Sequence, residues 1–393
     1  MSLNQTPSGE RLHIGFFGMV NAGKSSLVNK VTNQELSVVS DLEGTTTDVV
    51  KKNMELLPLG PVTIIDCPGF GDKTEIGEKR MKMAKKAINY TDIAILAVDS
   101  TKGICDTDEE IIDTLKSKNI PYIIACTKCD LLEKIPESTK NEIYVSAVNG
   151  HNIEKLKEMI GNLKPQKANK KILEGLVKKG DTIVLVMPID ASAPKGRIIL
   201  PQQMTLREIL DENACAICCQ DTDLAETLPK LKNPPDLVIT DSQSFGKVMK
   251  IVPESIPLTS FSILFARYKG ELNTLLKGAE ALDNLKDGSK VLISEGCTHH
   301  RQCGDIGTVK LPNWIKNYTQ KEIEFFFTQG GEFPENLTDF DIIIHCGGCM
   351  LNEREMKSRM AQAEDENVPM TNYGMVISKV NGILDRATAL FNE

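Results

Sequence analysis

The chain has 393 residues, of which 41% are hydrophobic and 25% charged, and its formal net charge at pH 7 is −8. These values indicate a globular protein of two or three domains, exclude a disordered chain, and give no overall electrostatic reason to bind nucleic acid. The apolar runs are strand-length and the N-terminus lacks a signal-peptide pattern, so we expect a cytoplasmic protein that does not bind a membrane. Because the net charge is negative, we also expect no nucleic-acid partner.

The first 160 residues alternate between strand-like and helix-like segments. Strands are predicted at 12–17, 62–65, 93–98, 122–126 and 143–145, with amphipathic helices such as 78–89 and 109–118 between them. This alternation predicts a mostly parallel sheet with helices on both faces. A polar, basic stretch with a proline at 163–171 is typical of a linker.

Two further α/β segments follow the linker. Strands are predicted at 182–187, 216–219, 237–240 and 248–251, then, after a long helical stretch from residue 264, at 290–294, 325–328 and 342–344, with helices at 353–364 and 376–391. We therefore predict an α/β protein of three consecutive α/β domains, with boundaries at 1–165, 172–260 and 264–393.

The segment GMVNAGKS at 18–25 fits the pattern G-x-x-x-x-G-K-[ST] directly after a predicted strand and at the start of a predicted helix,. In such a loop, backbone N–H groups surround phosphates, Lys24 reaches the β and γ oxygens, and Ser25 binds Mg²⁺. The residues predicted to contact the nucleotide here are Gly18, Asn21, Ala22, Gly23, Lys24, Ser25 and Ser26.

Four more segments complete a guanine-nucleotide site in the expected order: GTTT at 44–47, DCPG at 66–69, TKCD at 127–130 and SA at 146–147. Thr46 would complete the Mg²⁺ shell, and Asp66 and Gly69 would contact the metal and the γ-phosphate. Asp130 can accept two hydrogen bonds from guanine, which adenine cannot supply. Thr127, Lys128, Ser146 and Ala147 complete the predicted base site. The sequence therefore predicts a P-loop GTPase domain that binds GTP or GDP with Mg²⁺ and hydrolyses GTP.

With these motifs, the first 165 residues resemble the TrmE–Era branch of translation-factor-like GTPases. The resemblance implies a potassium site at Asn21 and the backbone of residues 40–45, where K⁺ would act as an arginine finger does. Thr127 replaces the usual Asn of the base motif, and Phe70 stands where Ras-like enzymes carry a water-orienting Gln. We therefore expect modest nucleotide affinity and slow GTP hydrolysis. From the resemblance, we also expect potassium to stimulate this hydrolysis.

The chain contains eleven cysteines, which we expect to be reduced in the cytoplasm,. Cys126 and Cys129 flank the guanine motif, and we interpret them as structural. Cys215, Cys218 and Cys219 lie in a segment that reads as a core strand, and the sequence leaves open whether they have a role.

A third set of cysteines follows two predicted strands. The strand at 290–294 leads into Cys297, His299 and His300, and the strand at 342–344 leads into His345, Cys346 and Cys349. Because loops at the carboxyl ends of adjacent parallel strands converge, these thiols and imidazoles could meet. Three cysteines would leave one iron of a cluster with an exchangeable ligand, for which His299, His300, His345 and Asp305 are candidates. A zinc site and a redox pair remain alternatives.

The combination of a GTPase domain, a middle α/β domain and this Cys/His pattern resembles the HydF family of FeFe-hydrogenase maturation GTPases along the whole chain. The resemblance implies a 4Fe-4S cluster on Cys297, Cys346 and Cys349, dimerisation through the middle domain, and a scaffold for the hydrogenase's two-iron subcluster. The implied partners are the hydrogenase apoprotein and radical-SAM maturases, with a two-iron precursor bound transiently. Thr127 and an additional Cys303 depart from the family pattern.

A second function remains possible on the sequence alone. Many TrmE–Era relatives are directed to RNA or the ribosome, and the C-terminal site would then hold zinc or act in redox chemistry. Such a protein is expected to carry a basic RNA-binding appendage. The chain beyond residue 170 is not conspicuously basic and carries the Cys/His set instead.

Overall fold

The computed structural model describes residues 8–34, 49–71, 75–164, 170–189, 198–270, 272–296, 305–348 and 350–391. The chain divides into two compact units between residues 167 and 168. Within the described ranges, no helix is both long enough and apolar enough to cross a membrane.

The first unit alternates strands and helices in the order that the sequence predicts. Its elements are β1 (Leu12–Gly18), α1 (Lys24–Thr32), β2 (Val50–Leu56), β3 (Gly60–Asp66), α2 (Glu75–Ile88), β4 (Ile93–Asp99), α3 (Asp106–Ser117), β5 (Tyr122–Thr127), β6 (Glu142–Tyr144) and α4 (Ile153–Asn162).

The described strands of this unit form one sheet in the order β2-β3-β1-β4-β5-β6, in which only β2 runs antiparallel to its neighbour. All seven residues of β1 and of β4 are buried, as expected for central parallel strands covered by helices on both faces,. The α/β class and the mostly parallel N-terminal sheet are thus confirmed. The sequence analysis missed β2, because its segment VKKNMEL is an exposed edge with two lysines.

The second unit begins with a sheet of four described parallel strands in the order β10-β9-β7-β8. Its elements are β7 (Thr182–Val186), α5 (Leu200–Asp211), β8 (Cys215–Cys219), α6 (Leu224–Thr227), β9 (Leu237–Thr240), α7 (Phe245–Ile251), β10 (Leu258–Ser260) and α8 (Phe261–Lys269). The strand predicted around Cys215 is present, but it lies at the edge of the sheet with Cys215 and Cys218 exposed, so its interpretation as a core strand is wrong.

A second sheet follows in the same unit, with its described strands parallel and in the order β12-β11-β13-β14. Its elements are α9 (Leu272–Glu280), β11 (Lys290–Glu295), α10 (Leu311–Thr319), β12 (Glu324–Gln329), β13 (Ile342–His345), α11 (Glu353–Asp365), β14 (Met370–Asn372), α12 (Tyr373–Val380) and α13 (Leu384–Thr388). A single π-helical turn, Ile306–Lys310, leads into α10.

The two sheets of the second unit share a hydrophobic core. One cluster contains Val184 and Val238 from the first of these sheets and Leu292 and Ile343 from the second. The domain boundaries expected at 172–260 and 264–393 stay a prediction.

Two local predictions in this unit are wrong. Residues 248–251 form the end of α7 rather than a strand, because a short apolar run has no periodicity that separates the two states,. The helix predicted at 376–391 is divided into α12 and α13 near Gly382, whose φ of 68° is left-handed,. The short strands β10 and β14 were also missed.

Candidate functional site

The P-loop connects β1 to α1 through a turn with several left-handed residues. Asn21 has a φ of 63° and Gly23 a φ of 79°, and α1 begins at Lys24. A turn of this kind directs successive backbone N–H groups toward one concavity and suits an anion. Ser25 and Ser26 lie in the first turn of α1, and Ala22 is buried.

Lys24 forms an ion pair with Asp66 at the carboxyl end of β3. Both side chains are buried, so the pair satisfies two charges that would otherwise be costly to bury,. Lys24 is the predicted phosphate ligand and Asp66 the predicted magnesium contact, and the structure brings these two residues together. Burial raises the pKa of the adjacent Cys67 thiol, which therefore stays protonated,.

The segment after Asp66 is hydrogen-bonded to the P-loop. The Val20 N–H donates to Phe70 O at 2.9 Å, and the Phe70 N–H donates to Gly18 O at 3.3 Å. A Cβ at Gly69 would stand 3.0 Å from the Val20 backbone, so only glycine fits this approach easily. The Phe70 ring is fully buried in the core, and no amide stands at this position to orient a water molecule.

The base motif also contacts the P-loop. The Thr127 hydroxyl lies within hydrogen-bond distance of Ala22 O and, at 3.1 Å, of Val98 O. Lys128 Nζ donates to Asn21 O at 2.7 Å and to Asp99 Oδ2 at 2.7 Å. The hydroxyl of Thr127 thus connects the two motifs even though the usual amide is absent.

Asp99, which the sequence analysis did not single out, orders this region. Burial would raise the pKa of its carboxyl group, but hydrogen bonds from Lys128 and Thr101 hold that pKa below its usual value. The carboxylate therefore stays ionised and holds the Lys128 ammonium. The sequence feature that could have identified Asp99 is its position at the end of a buried strand, directly before a turn.

The remaining base residues lie on neighbouring segments. Asp130 is exposed after β5. Ser146 is buried beyond β6, and its Oγ accepts backbone N–H groups of Val148 and Asn149 at 3.2 and 3.4 Å. Ala147 follows it. Thr46 and the segment 40–45 lie outside the described residues, so the expected Mg²⁺ and K⁺ contacts there stay predictions.

In the second unit, two cysteine-bearing segments leave adjacent strands side by side. Strands β11 and β13 are parallel neighbours, with Ser294 opposite His345. The Cys346 sulfur accepts the N–H groups of Gly296 at 3.0 Å and Gly348 at 3.4 Å. One of these amides directly follows β11 and the other lies after β13, so the backbone that follows both strands meets at this thiol.

Four residues of the predicted Cys/His site, Cys297, His299, His300 and Cys349, lie outside the described residues, as does the additional Cys303. Within the part of the chain that is described, no group of three or more His, Cys, Asp and Glu side chains is arranged to hold a metal ion.

His345 is fully buried between two fixed groups. Its Nδ1 lies 2.7 Å from Cys346 O, and its Nε2 lies 2.9 Å from Arg359 Nη1. Burial, with the nearby Arg359 charge, lowers the pKa of His345 to about 3, so the imidazole is neutral. To bind iron as the predicted fourth ligand, His345 would have to give up one of these contacts.

Asp305, the other described candidate for that position, begins the π-helical turn. Its Oδ2 accepts the Thr308 backbone N–H at 2.9 Å and the Thr308 hydroxyl at 3.0 Å. One carboxylate oxygen is therefore used in capping the turn.

Two residues near Cys346 were not anticipated. The Tyr373 hydroxyl donates to Glu295 Oε1 at 3.3 Å. Burial raises the pKa of the Tyr373 hydroxyl, and electrostatic interactions with Glu295, Cys346 and Asp305 raise it further. Glu295 directly precedes Gly296 and Cys297, a position that could have marked it in the sequence.

Three family descriptions match separate parts of the chain. Residues 13–128 match the 50S ribosome-binding GTPase, residues 172–270 the hydrogen maturase F dimerization domain, and residues 273–390 the hydrogen maturase F tetramerization domain. The two hydrogen maturase F matches together take up more than half of the chain.

Curated relatives match a little over a third of the chain. The tRNA modification GTPase MnmE of Streptococcus agalactiae serotype Ia is 32% identical over 157 residues, which is 39% of this chain and 34% of the relative. MnmE of Prochlorococcus marinus is 36% identical over 149 residues, which is 36% of this chain and 32% of the relative. The chain thus covers about a third of the length of the curated relatives it matches.

Among solved structures, the probable GTP-binding protein engB is similar at 27% identity with a TM-score of 0.32. The similarity covers 38% of this chain and 97% of that protein.

Proposed function

The chain belongs to the hydrogen maturase F family, and from that membership we propose that it is a GTP-hydrolysing scaffold protein. It carries a 4Fe-4S cluster and assembles or delivers the two-iron subcluster of the FeFe-hydrogenase active site. The observation that supports this proposal is that Gly296 and Gly348, which precede Cys297 and Cys349 in the sequence, both donate backbone N–H groups to the Cys346 sulfur.

The surroundings of Cys346 suit a cysteine-held iron–sulfur group. Two backbone N–H groups point at its sulfur, and such hydrogen bonds favour a thiolate and tune a bound cluster,. Cys297 follows Gly296 directly, and Cys349 follows Gly348, so both remaining proposed ligands adjoin residues that already contact this sulfur. Cys297, Cys346 and Cys349 would hold the group, which would supply a site to which a second iron fragment can bind.

A set of three cysteines is suited to a scaffold because it leaves one coordination position exchangeable. His299, His345 and Asp305 are the proposed occupants of that position. A two-iron precursor could then be received from radical-SAM maturases and passed to the hydrogenase apoprotein. A cluster held by four cysteines would suit electron transfer better.

In the GTPase site, Lys24 would hold the β- and γ-phosphates while Ser25 and Thr46 bind Mg²⁺. Nucleotide binding would then separate Lys24 from Asp66, because the ammonium cannot serve the carboxylate and the phosphates equally well. Asp66, no longer paired with Lys24, would then be able to interact with the bound Mg²⁺. Gly69 is proposed to contact the γ-phosphate through its N–H group.

Hydrolysis is proposed to be slow and to be stimulated by potassium bound at Asn21. Phe70 is buried where an amide could orient water, which supports a low intrinsic rate. We expect faster hydrolysis in K⁺ than in Na⁺ at equal ionic strength, and Asn21→Ala should remove the difference. Phosphate release measured in both salts tests this, and equal wild-type rates would leave Asn21 a purely structural role.

A homodimer is proposed through the middle domain, at the edge of β8 that has no neighbouring strand among the described residues. This strand is uncharged, five residues long and partly exposed, and the edge of such a strand can pair with a second chain,. The match of residues 172–270 to a dimerization domain supports this assignment.

A second candidate function is an RNA- or ribosome-directed GTPase with a zinc or redox site in the C-terminal part. The match of residues 13–128 to a ribosome-binding GTPase and the MnmE relatives favour it. Those similarities concern the GTPase part alone, whereas the rest of the chain matches hydrogen maturase F domains, and we therefore prefer the scaffold.

Anaerobic reconstitution separates the two functions. Iron and sulfide are counted, and paramagnetic resonance is recorded after reduction, for the wild type and for alanine variants of Cys297, Cys346, Cys349, His299 and His345. The scaffold requires each of the three cysteines for iron retention, whereas either histidine variant should keep most of its iron with an altered spectrum. Zinc alone after anaerobic expression would exclude the proposal, and a requirement for Cys303 as a fourth cysteine ligand would favour electron transfer.

A further inference from the structure

Lys269, the last residue of α8, is buried with only 3% of its surface exposed. Its Nζ donates to Leu351 O at 2.9 Å and lies 3.5 Å from Gly348 O. These carbonyl groups stand on the two sides of Cys349 in the sequence. Lysine is rarely buried unless its ammonium group is paired or hydrogen-bonded, so the burial of Lys269 calls for a physical explanation.

The loop that Lys269 contacts is tightly folded. Gly348 has a left-handed φ of 60°, and its carbonyl also accepts the Leu351 N–H at 3.0 Å. The Leu351 side chain lies against Gly296, where an added Cβ would come within 2.8 Å of it. The segment 346–351 is called the cysteine loop below; its described residues are fixed through Leu351 against Gly296, and Lys269 holds the Gly348 and Leu351 carbonyl groups from the α8 side.

We propose that Lys269 is a positioning residue for the iron–sulfur site, and this inference rests on the function proposed above. Its ammonium fixes the cysteine loop through two carbonyl groups on either side of Cys349. It also sets a positive charge in the interior beside the backbone that would hold an anionic group. Positive charge near an iron–sulfur group favours its more negative, reduced form and so raises its reduction potential.

The contact crosses a boundary between parts of the chain. Lys269 lies in the segment that matches the dimerization domain, and the cysteine loop lies in the segment that matches the tetramerization domain. Helix α8 begins directly after β10, so Lys269 joins the first sheet of the second unit to the cysteine loop. Movement of α8 would therefore change the placement of Gly348 and Leu351 in the cysteine loop.

Three variants test the role of Lys269. Lys269→Met keeps the length and apolar stem but removes the charge and the donor, while Lys269→Arg keeps the charge. Arg267→Met is the matched control, because Arg267 lies on the same helical turn and bonds to Glu174 O at 2.8 Å instead of the loop. Each full-length protein is reconstituted anaerobically, and iron content, midpoint potential and the rate of iron release to a chelator are measured.

We expect Lys269→Met to have a more negative midpoint potential than the wild type and to release iron several-fold faster. Lys269→Arg should keep a potential close to that of the wild type, and Arg267→Met should match the wild type in both measurements. A Lys269→Met protein with wild-type potential and wild-type release rate would overturn the inference. The Lys269→Met protein could also take up no iron. If its apo form then unfolds at the same temperature as apo Arg267→Met, the result supports positioning.

If Lys269→Met fails to fold, Lys269→Gln, which keeps a donor but no charge, takes its place under the same expectations. Failure of the proposed function gives a different result, because the wild type itself would then take up no iron. Hydrogen exchange of the apo protein then decides the inference alone. Faster exchange in the cysteine loop of Lys269→Met than of Arg267→Met supports positioning, and equal exchange overturns it.

Discussion

Thr127 illustrates how one side chain can take over part of another's role. The usual Asn of this motif carries both a donor and an acceptor, whereas a hydroxyl has a single hydrogen to donate. In this chain that hydrogen can serve either Ala22 O or Val98 O, both of which are within reach. The contact between the base motif and the P-loop therefore depends on a single hydroxyl group.

Thr127→Ala should weaken GTP binding by about tenfold, because it leaves one buried carbonyl group without its hydroxyl donor at a cost of about 1–3 kcal/mol. Thr127→Ser keeps the hydroxyl and is the matched control, with an expected affinity near that of the wild type. Equilibrium binding of a fluorescent GTP analogue measures both. Equal affinity in the Ala and Ser variants would show that the hydroxyl does not support the P-loop.

Asp130→Asn should change base preference. The amide has one acceptor oxygen instead of two, so one of the two hydrogen bonds from guanine is lost. The preference for GTP over xanthosine triphosphate should fall roughly a hundredfold, because one charge-assisted bond contributes about 1.5–3 kcal/mol. Competition binding with the two nucleotides gives the ratio directly. A variant that keeps the wild-type ratio would place the base site elsewhere.

The sequence could identify the residue types of the C-terminal site but not their contacts. His345 was named from its position beside Cys346, and nothing in the sequence indicated that Arg359, fourteen positions further on, would meet its Nε2. Arg359 also donates to Gly330 O and Glu355 Oε1 at 2.8 and 2.7 Å, which fixes the guanidinium. Such pairings depend on the packing of α11 against the sheet and are not encoded in local spacing.

At the scale of elements, the buried strands were the most predictable. Strands β1 and β4 are continuous apolar runs bounded by turn signals, and the structure places both at the centre of a parallel sheet. Edge strands were less predictable, because strand order is set by long-range pairing rather than by composition. The segment CAICC reads as a core strand, yet β8 lies at the edge of its sheet.

The edge of β8, beside which no described strand lies, leads to a prediction for assembly. Cys215→Lys combined with Cys218→Lys should convert dimer to monomer, because two lysines on each edge repel those of the second copy and are poorly accommodated in a paired sheet. Leu57→Lys, at a side chain 81% exposed in the first unit, is the control and should remain dimeric. Light scattering after size exclusion measures the mass, and a double variant that stays dimeric would exclude this edge.

At the scale of the whole molecule, the two proposed sites lie in units with separate hydrophobic cores. The P-loop, Asp66 and the base motif belong to the unit that ends at residue 167, and the cysteine loop belongs to the unit that begins at residue 168. Each unit has hydrophobic clusters of its own. Damage to one site should therefore leave the folding of the other site intact.

The final prediction follows from this separation and uses reciprocal variants. Lys24→Ala should abolish GTP hydrolysis, because the phosphate oxygens lose their buried cation, while iron and sulfide per chain stay at the wild-type level. Cys346→Ala should lose iron, because the thiol that receives N–H groups from both loops is removed, while GTP turnover in the absence of partners stays within twofold of the wild type, roughly the change expected for additive, distant sites. Iron and sulfide counts and phosphate release are measured on the same anaerobic preparations, with thermal unfolding as the check that each variant is folded. Loss of iron in folded Lys24→Ala protein would mean that the nucleotide site supports cluster binding directly, and the independence of the two sites would have to be abandoned.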